Sequence, residues 1–305
     1  MDDKIPYAKP YLDYPEQLQQ LKDRGLNIEN DDKALHLLSK VSYYRLSGYW
    51  HPLLEDPENH RFKQGATFEV AFKLYCFDKD LRKLFLSEIE KIEVAIRCQM
   101  IHVLSESFGP FWFEKEDLFP NKEAANKPTT HEIILNVINK EFERCDEQFI
   151  EAFKLKYANE RPPCWMLLEI MSFGTLSMLY KSLKPGKSKR LIANNFGLDD
   201  TSFESWLHCL VYVRNICAHH SRLWNRSFSI RPAKVLNPDK LWLESNTVSN
   251  KRIFYFASML VYLLNIINPK HRFKEKFLQL ITSNTNLDYN RMGFCDDWEN
   301  EPLWQ

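Results

Sequence analysis

Glycine is scarce in this chain, 8 residues in 305, against a usual share of roughly 7%. That scarcity disfavours a turn-rich β protein and leaves no Gly-rich loop to cradle phosphates. No two of the seven cysteines form a CxxC pair, and their number is odd. A disulfide framework and a zinc knuckle are therefore disfavoured, and reduced core cysteines of a cytoplasmic protein are expected. No apolar run is long enough for a membrane span. The longest, Ile253 to Ile267, includes Asn265 and falls short of the about 20 residues a bilayer requires, so it reads as a buried core helix. The N-terminus, MDDKIPYAKP, begins acidic and has no apolar core of a signal peptide. A net charge is also missing, with 41 basic residues against 41 acidic ones. A nucleic-acid binder usually shows a basic excess, so any such function must rest on local clustering.

Helical periodicity dominates what is present. Tyr14-Pro15 opens a first helix with proline in the favoured first turn, and a second is expected from Asp31 to Lys40. The longest periodic segment starts after Thr67, a plausible N-cap, and runs to about Ser107. Its apolar residues Phe72, Tyr75, Leu81, Leu84, Phe85, Ile89, Ile92 and Ile96 recur at three-to-four spacing, while Glu90, Glu93 and Arg97 share another face. A loop is expected over roughly 111–130, then one helix over 131–157, a break at Pro162-Pro163, and one apolar helix over 164–183 with Gly174 inside it. Thr201 and Glu204 have the spacing of a capping box that starts the next helix. The segment SFSIRPAKVLNP reads as irregular, and two further helices follow, over about 250–267 and 271–282. The expectation is an all-α fold. Residues 1–62 form an N-terminal helical region, 63–285 a helical body, and 286–305 an aromatic, acidic tail that docks on that body.

The chemistry concentrates in VRNICAHHSRLWNR, Val213 to Arg226. From Ser205 to Pro238 there is no aspartate or glutamate, while Arg214, Arg222, Arg226, Arg231, Lys234 and three histidines lie inside. If the helix continues through this stretch, Asn215, His219, Arg222 and Arg226 fall at i, i+4, i+7 and i+11 on one polar stripe. Phe203, Trp206, Leu210, Val213 and Cys217 then line roughly the opposite side. Arg214 lies about 140° around from His219, within reach of a long side chain. His220 points off the stripe and reads as a neighbour of the proton carrier. Arginines in an acid-free stretch suit a phosphate. Arginine with histidine at a phosphodiester suffices for RNA cleavage: histidine moves the proton and arginine meets the charge gathering on the phosphorus oxygens. Spacing alone is weak support, since an arginine followed five or six residues later by histidine also occurs at Arg45/His51 and Arg97/His102. A solvated or packed helix end remains the bland alternative.

The segment LVYVRNICAHHSRLWNR resembles the signature of the Abi-like (AbiD/AbiF) abortive-infection family of the HEPN superfamily. The family's RNxxxH motif falls on Arg214, Asn215 and His219. YPEQLQQLKDRGL, SYYRLSGYWHPL, FDKDLRKLFLSEIEKIEVAIR, WMLLEIMSFGTLSMLY and MGFCDDWENEPLW also resemble family segments, in family order. The resemblance implies a HEPN-type helical bundle with an N-terminal helical extension. It implies a metal-independent endoribonuclease of phage defence with no cofactor, acting on RNA as a homodimer that shares a composite cleft, with a regulatory RNA or antitoxin as a further partner. Arg214, Asn215 and His219 are then catalytic, and His220, Arg222 and Arg226 contact RNA. Superfamily members often bring an acidic or polar residue from a neighbouring helix, for which Glu90, Arg97 and Glu169 are the candidates. The rival expectation is an inactive HEPN module that binds RNA or a protein partner through the same surface.

Overall fold

The computed structural model describes residues 6–120, 127–235, 238–245, 247–284 and 287–305. The fold is all-α, with thirteen α-helices and one short hairpin among the described residues. The chain divides into two compact units, and the boundary falls at Asp80/Leu81 rather than at residue 62. Both sides of that boundary belong to one uninterrupted helix, which is why no loop signal marks it.

The first unit covers residues up to Asp80 together with Ser283 and Asn284. Helix α1 (Tyr14–Asp23) starts on a capping box in which Asp13 accepts from the Glu16 N–H at 2.9 Å and the Asp13 N–H donates back to Glu16 at 2.8 Å. Asn30 caps α2 (Asp31–Val41). The aromatic-rich chain that follows forms α3 (Tyr43–Trp50), with Leu46, Tyr49 and Trp50 buried. The polar loop after it holds a hairpin, β1 (Leu54–Asp56) with β2 (Arg61–Phe62). Thr67 accepts from the Val70 N–H at 3.2 Å, as expected of an N-cap, and α4 runs from Phe68 to Phe108.

In the second unit, Leu81, Phe85, Ile89, Ile92 and Ile96 of α4 are buried at the expected three-to-four spacing, Met100 and Val103 extend that face, and Leu84 is only half-buried. Helix α11 (Ile253–Ile267) is buried on every side from Ile253 to Leu264, as a core helix must be. No helix among the described residues is long and apolar enough to cross a membrane. All seven cysteines are free. Of the loop expected over 111–130, residues 121–126 lie outside the described residues, as do 236 and 237 of the segment expected to be irregular.

Two expected helices are each broken in two. Residues 131–157 form α5 (Thr130–Arg144) and α6 (Gln148–Lys156), because Cys145 turns to an extended conformation. Residues 164–183 form α7 (Cys164–Ile170) and α8 (Phe173–Ser182), and tertiary contacts hold that break. Arg97 of α4 donates to the carbonyl oxygens of Met171 and Glu169 at 3.0 and 3.1 Å, taking up groups that a continuous helix would have used internally. On the other side Ser172 caps α8, and Glu141 of α5 accepts from the Ser172 N–H at 3.3 Å and from the Thr175 hydroxyl at 2.5 Å.

The next long helix does not start on the expected capping box. Helix α9 spans Lys187–Asn194, and α10 spans Asp200–Ala218. Its N-cap is Asp199, which accepts from the Thr201 and Ser202 N–H groups; Thr201 is not the cap, and Glu204 pairs instead with the buried Lys189 at 3.0 Å. Carboxylate stabilisation of two N–H groups at one site outcompetes the threonine hydroxyl.

Helices α12 (Phe273–Thr282) and α13 (Tyr289–Met292) complete the set. The C-terminal tail, Leu287–Gln305, belongs to the second unit. Glu301 accepts from the Glu244 and Ser245 N–H groups, and Trp304 stacks on Phe254 while its indole N–H donates to the Ser258 hydroxyl at 3.0 Å.

Breaking the Arg97 clamp leaves Glu93 and two carbonyls without their buried partner. Arg97→Met is therefore expected to cost about 3 kcal/mol, read as a lower urea midpoint with an unchanged m-value.

Candidate functional site

The buried side of α10 is the predicted one: Phe203, Trp206, Leu210, Val213 and Cys217 all lie in the core. This anchoring fixes the opposite side of the helix and the direction in which its C-terminus points. Asn215 and His219 are exposed there, one turn apart, and the His219 N–H closes the helix on the Asn215 carbonyl at 2.9 Å. Arg214 is half-buried, and its guanidinium donates to the Asn215 side-chain oxygen at 3.4 Å. The three motif residues therefore stand together at one helix end. Among the described residues the His219 imidazole takes no hydrogen bond, which leaves both ring nitrogens to a ligand.

The helix does not continue through Arg226. It ends at Ala218, with His219 as the C-cap residue and His220 left-handed at φ 56°. The His220 N–H donates to the Cys217 carbonyl at 3.1 Å and the Ser221 N–H to the Ile216 carbonyl at 2.9 Å. That pair of bonds is the Schellman closure. The expected four-residue stripe is thus cut after His219. Arg222 and Arg226 follow on irregular chain, where the Arg226 Nε donates to the Arg222 carbonyl at 2.7 Å. The termination has a local cause: histidine tolerates the left-handed region better than most residues, and the two freed carbonyls are satisfied at once. It also separates the adjacent histidines, because His220 serves the turn while His219 stays on the helical face.

Of the expected supporting residues, Arg97 is buried and held by Glu93 at 2.9 Å, by the two carbonyls already described and by the Glu169 carboxylate at 3.4 Å. It acts as the clamp of the α7–α8 break. Glu90 is exposed on α4. The residue that sequence reasoning passed over is Glu93. Burial pushes its carboxyl above the usual range, the guanidiniums of Arg97 and Arg214 pull it back, and Glu90 adds to the rise. Glu93 is thus a carboxylate of α4 that feels the charge of Arg214. The signal was present in the sequence, since Glu93 sits four residues before Arg97 on the same face, but spacing cannot tell which of Glu90 and Glu93 faces α10.

Fold and site together define an all-helical protein with an arginine–asparagine–histidine helix terminus in an acid-free segment. The chain belongs to the family of Abi-like proteins, whose model matches residues 36–225. The match includes Glu93, Arg97, Arg214, Asn215 and His219 and stops one residue short of Arg226. Two of the resembling segments, Tyr14–Leu26 and Met292–Trp304, lie outside it. No curated protein and no solved structure matches the chain.

Because a left-handed residue other than glycine costs about 1–2 kcal/mol, His220→Gly is expected to hold stability or raise it by up to about 1 kcal/mol. His220→Val, β-branched at positive φ, is expected to lower it by about 1–2 kcal/mol. Thermal unfolding of the two variants checks both.

Proposed function

We propose that this Abi-like protein is a metal-independent endoribonuclease of the HEPN type acting in abortive infection against phage. The observation that carries the reading is the convergence of Arg214, Asn215 and an unpartnered, exposed His219 on the end of α10. In such a reaction the ribose 2′-OH attacks the adjacent phosphorus and the bond to the 5′-oxygen breaks. The products are a 2′,3′-cyclic phosphate and a 5′-hydroxyl end. His219 takes the proton from the 2′-OH or returns one to the leaving 5′-oxygen. Arg214 offers charge-assisted hydrogen bonds to the phosphorus oxygens as negative charge builds on them. Asn215, bonded to Arg214, holds that guanidinium in register, and Glu93 acts on it from α4. Without a 2′-OH the route is closed, so DNA is not a substrate.

The reaction needs a base and an acid, and each chain brings one histidine of this motif. A homodimer that places two helix ends in one cleft meets that need, and it is the assembly proposed here. A cytoplasmic location and a regulatory RNA or antitoxin belong to the same reading.

Purified protein is expected to cleave RNA in the presence of EDTA and to leave 2′,3′-cyclic phosphate ends. His219→Ala and Arg214→Ala should lower the rate by about 10²-fold or more, and His219→Ala should leave the melting temperature unchanged because its ring is exposed at the helix end. End-group analysis of the products checks the route. Loss of cleavage in EDTA, or full activity in His219→Ala, overturns it. Binding of RNA without turnover would instead mark an inactive binding module.

A further inference from the structure

The basic character around α10 extends beyond the motif. Between Ser205 and Lys274 only Asp239 and Glu244 are acidic. The hydrogen bonds of the fold join the two acid-free stretches on either side of those residues. The Phe228 N–H donates to the Lys251 carbonyl at 2.9 Å, and the Asn250 amide donates to the Pro232 carbonyl at 2.9 Å. The segment after the motif is also laid back along α10. Ser229 and Tyr212 share a hydroxyl hydrogen bond at 3.2 Å, and the Ala233 N–H donates to the Ser205 hydroxyl at 2.8 Å.

Ser205, His208, Tyr212, Asn215 and His219 lie at i, i+3, i+7, i+10 and i+14, which is one face of the helix. Residues 229–233 therefore run antiparallel to α10 along the same face that ends in Asn215 and His219. Tyr212 lies two turns from His219, about 10 Å along the axis, and Ser205 about 21 Å. Arg231 is exposed on this segment, and Lys251 is exposed on the strand of chain bonded to it. Among the described residues neither makes an ion pair. The family match ends before this segment begins.

We infer that Arg231 and Lys251 form a phosphate track along α10 that holds the backbone of a single-stranded nucleic acid several nucleotides away from the bond at His219. The inference rests on the proposed reading for what happens at His219, but the track itself reads only phosphates. Continuity with the motif face favours an extended polyanion over an isolated anion: about 10–20 Å of helix face corresponds to several nucleotides at the 3.4 Å rise per nucleotide.

The test is equilibrium binding of uncleavable 2′-deoxy oligonucleotides of two, six and twelve nucleotides to the full chain, at several salt concentrations. Wild-type affinity is expected to rise with length. In the Arg231→Gln/Lys251→Gln double variant the twelve-nucleotide strand should bind about tenfold more weakly, and the slope of log affinity against log salt should fall by about 1.4 for two lost contacts. Wild-type affinity and slope in the variant overturn the track, as does affinity that does not grow with length. Binding to anionic phosphatidylserine vesicles but not to the oligonucleotides overturns it in favour of a membrane surface. Strands that bind with the expected length and variant dependence, alongside an RNA that is never cleaved, support the track and sink only the nuclease reading. Cleavage of RNA with unchanged strand binding in the variant does the reverse.

Discussion

A guanidinium buried in a helical core must find acceptors for its N–H groups, and the two terminal nitrogens of Arg97 find them on three elements while its Nε has none. It takes Glu93 from its own helix, the carbonyl of Met171 from the α7–α8 break, and both the carbonyl and carboxylate of Glu169 from the end of α7. The charge is tolerable there because both carboxylates oppose it and the carbonyls at the end of α7 offer the negative end of a helix dipole. The consequences spread outward. The break between α7 and α8 is stabilised. Glu93 is held at a defined place on α4, and from that place it acts on Arg214. One buried cation thus links the packing of the second unit to the electrostatics of the motif.

The motif depends equally on how α10 stops. Had the helix continued, His219 would lie inside a helical turn and Arg222 and Arg226 would stand beyond it on the same stripe. The Schellman closure at His220 leaves His219 at the rim of the last turn, where its ring is exposed, and sends the chain back over the helix. Termination and site are the same structural event. The returning chain then places hydroxyl contacts on Tyr212 and Ser205, so the face that carries the motif is bordered by a segment with no acidic residue.

Much of this was legible in the residues. The fold class, the buried face of α4, the core character of α11 and the buried side of α10 all follow from apolar spacing, because burial of a helix face is a local pattern repeated every three to four residues. The motif was legible as a cluster of residue types, and the family match confirms the kinship that the cluster suggested. Several local signals misled. Thr201 and Glu204 had capping-box spacing, but Asp199 stands two residues earlier and Lys189 claims Glu204. Residues 131–157 and 164–183 read as single helices because nothing in their own sequence breaks them. Glu93 and Glu90 were indistinguishable as neighbours of the motif.

By itself, then, the sequence determined which faces are apolar, that the fold is helical, and which residue types gather around His219, since these depend on short-range periodicity and composition. Only the tertiary structure decided where α7 ends and α8 begins, that the charge of Arg214 reaches Glu93, and that the chain after His220 returns along α10. Each of those depends on a partner far away in sequence: Arg97 for Met171, α10 for Glu93, Tyr212 and Ser205 for residues 229–233. A pattern within one helix carries no information about such a partner.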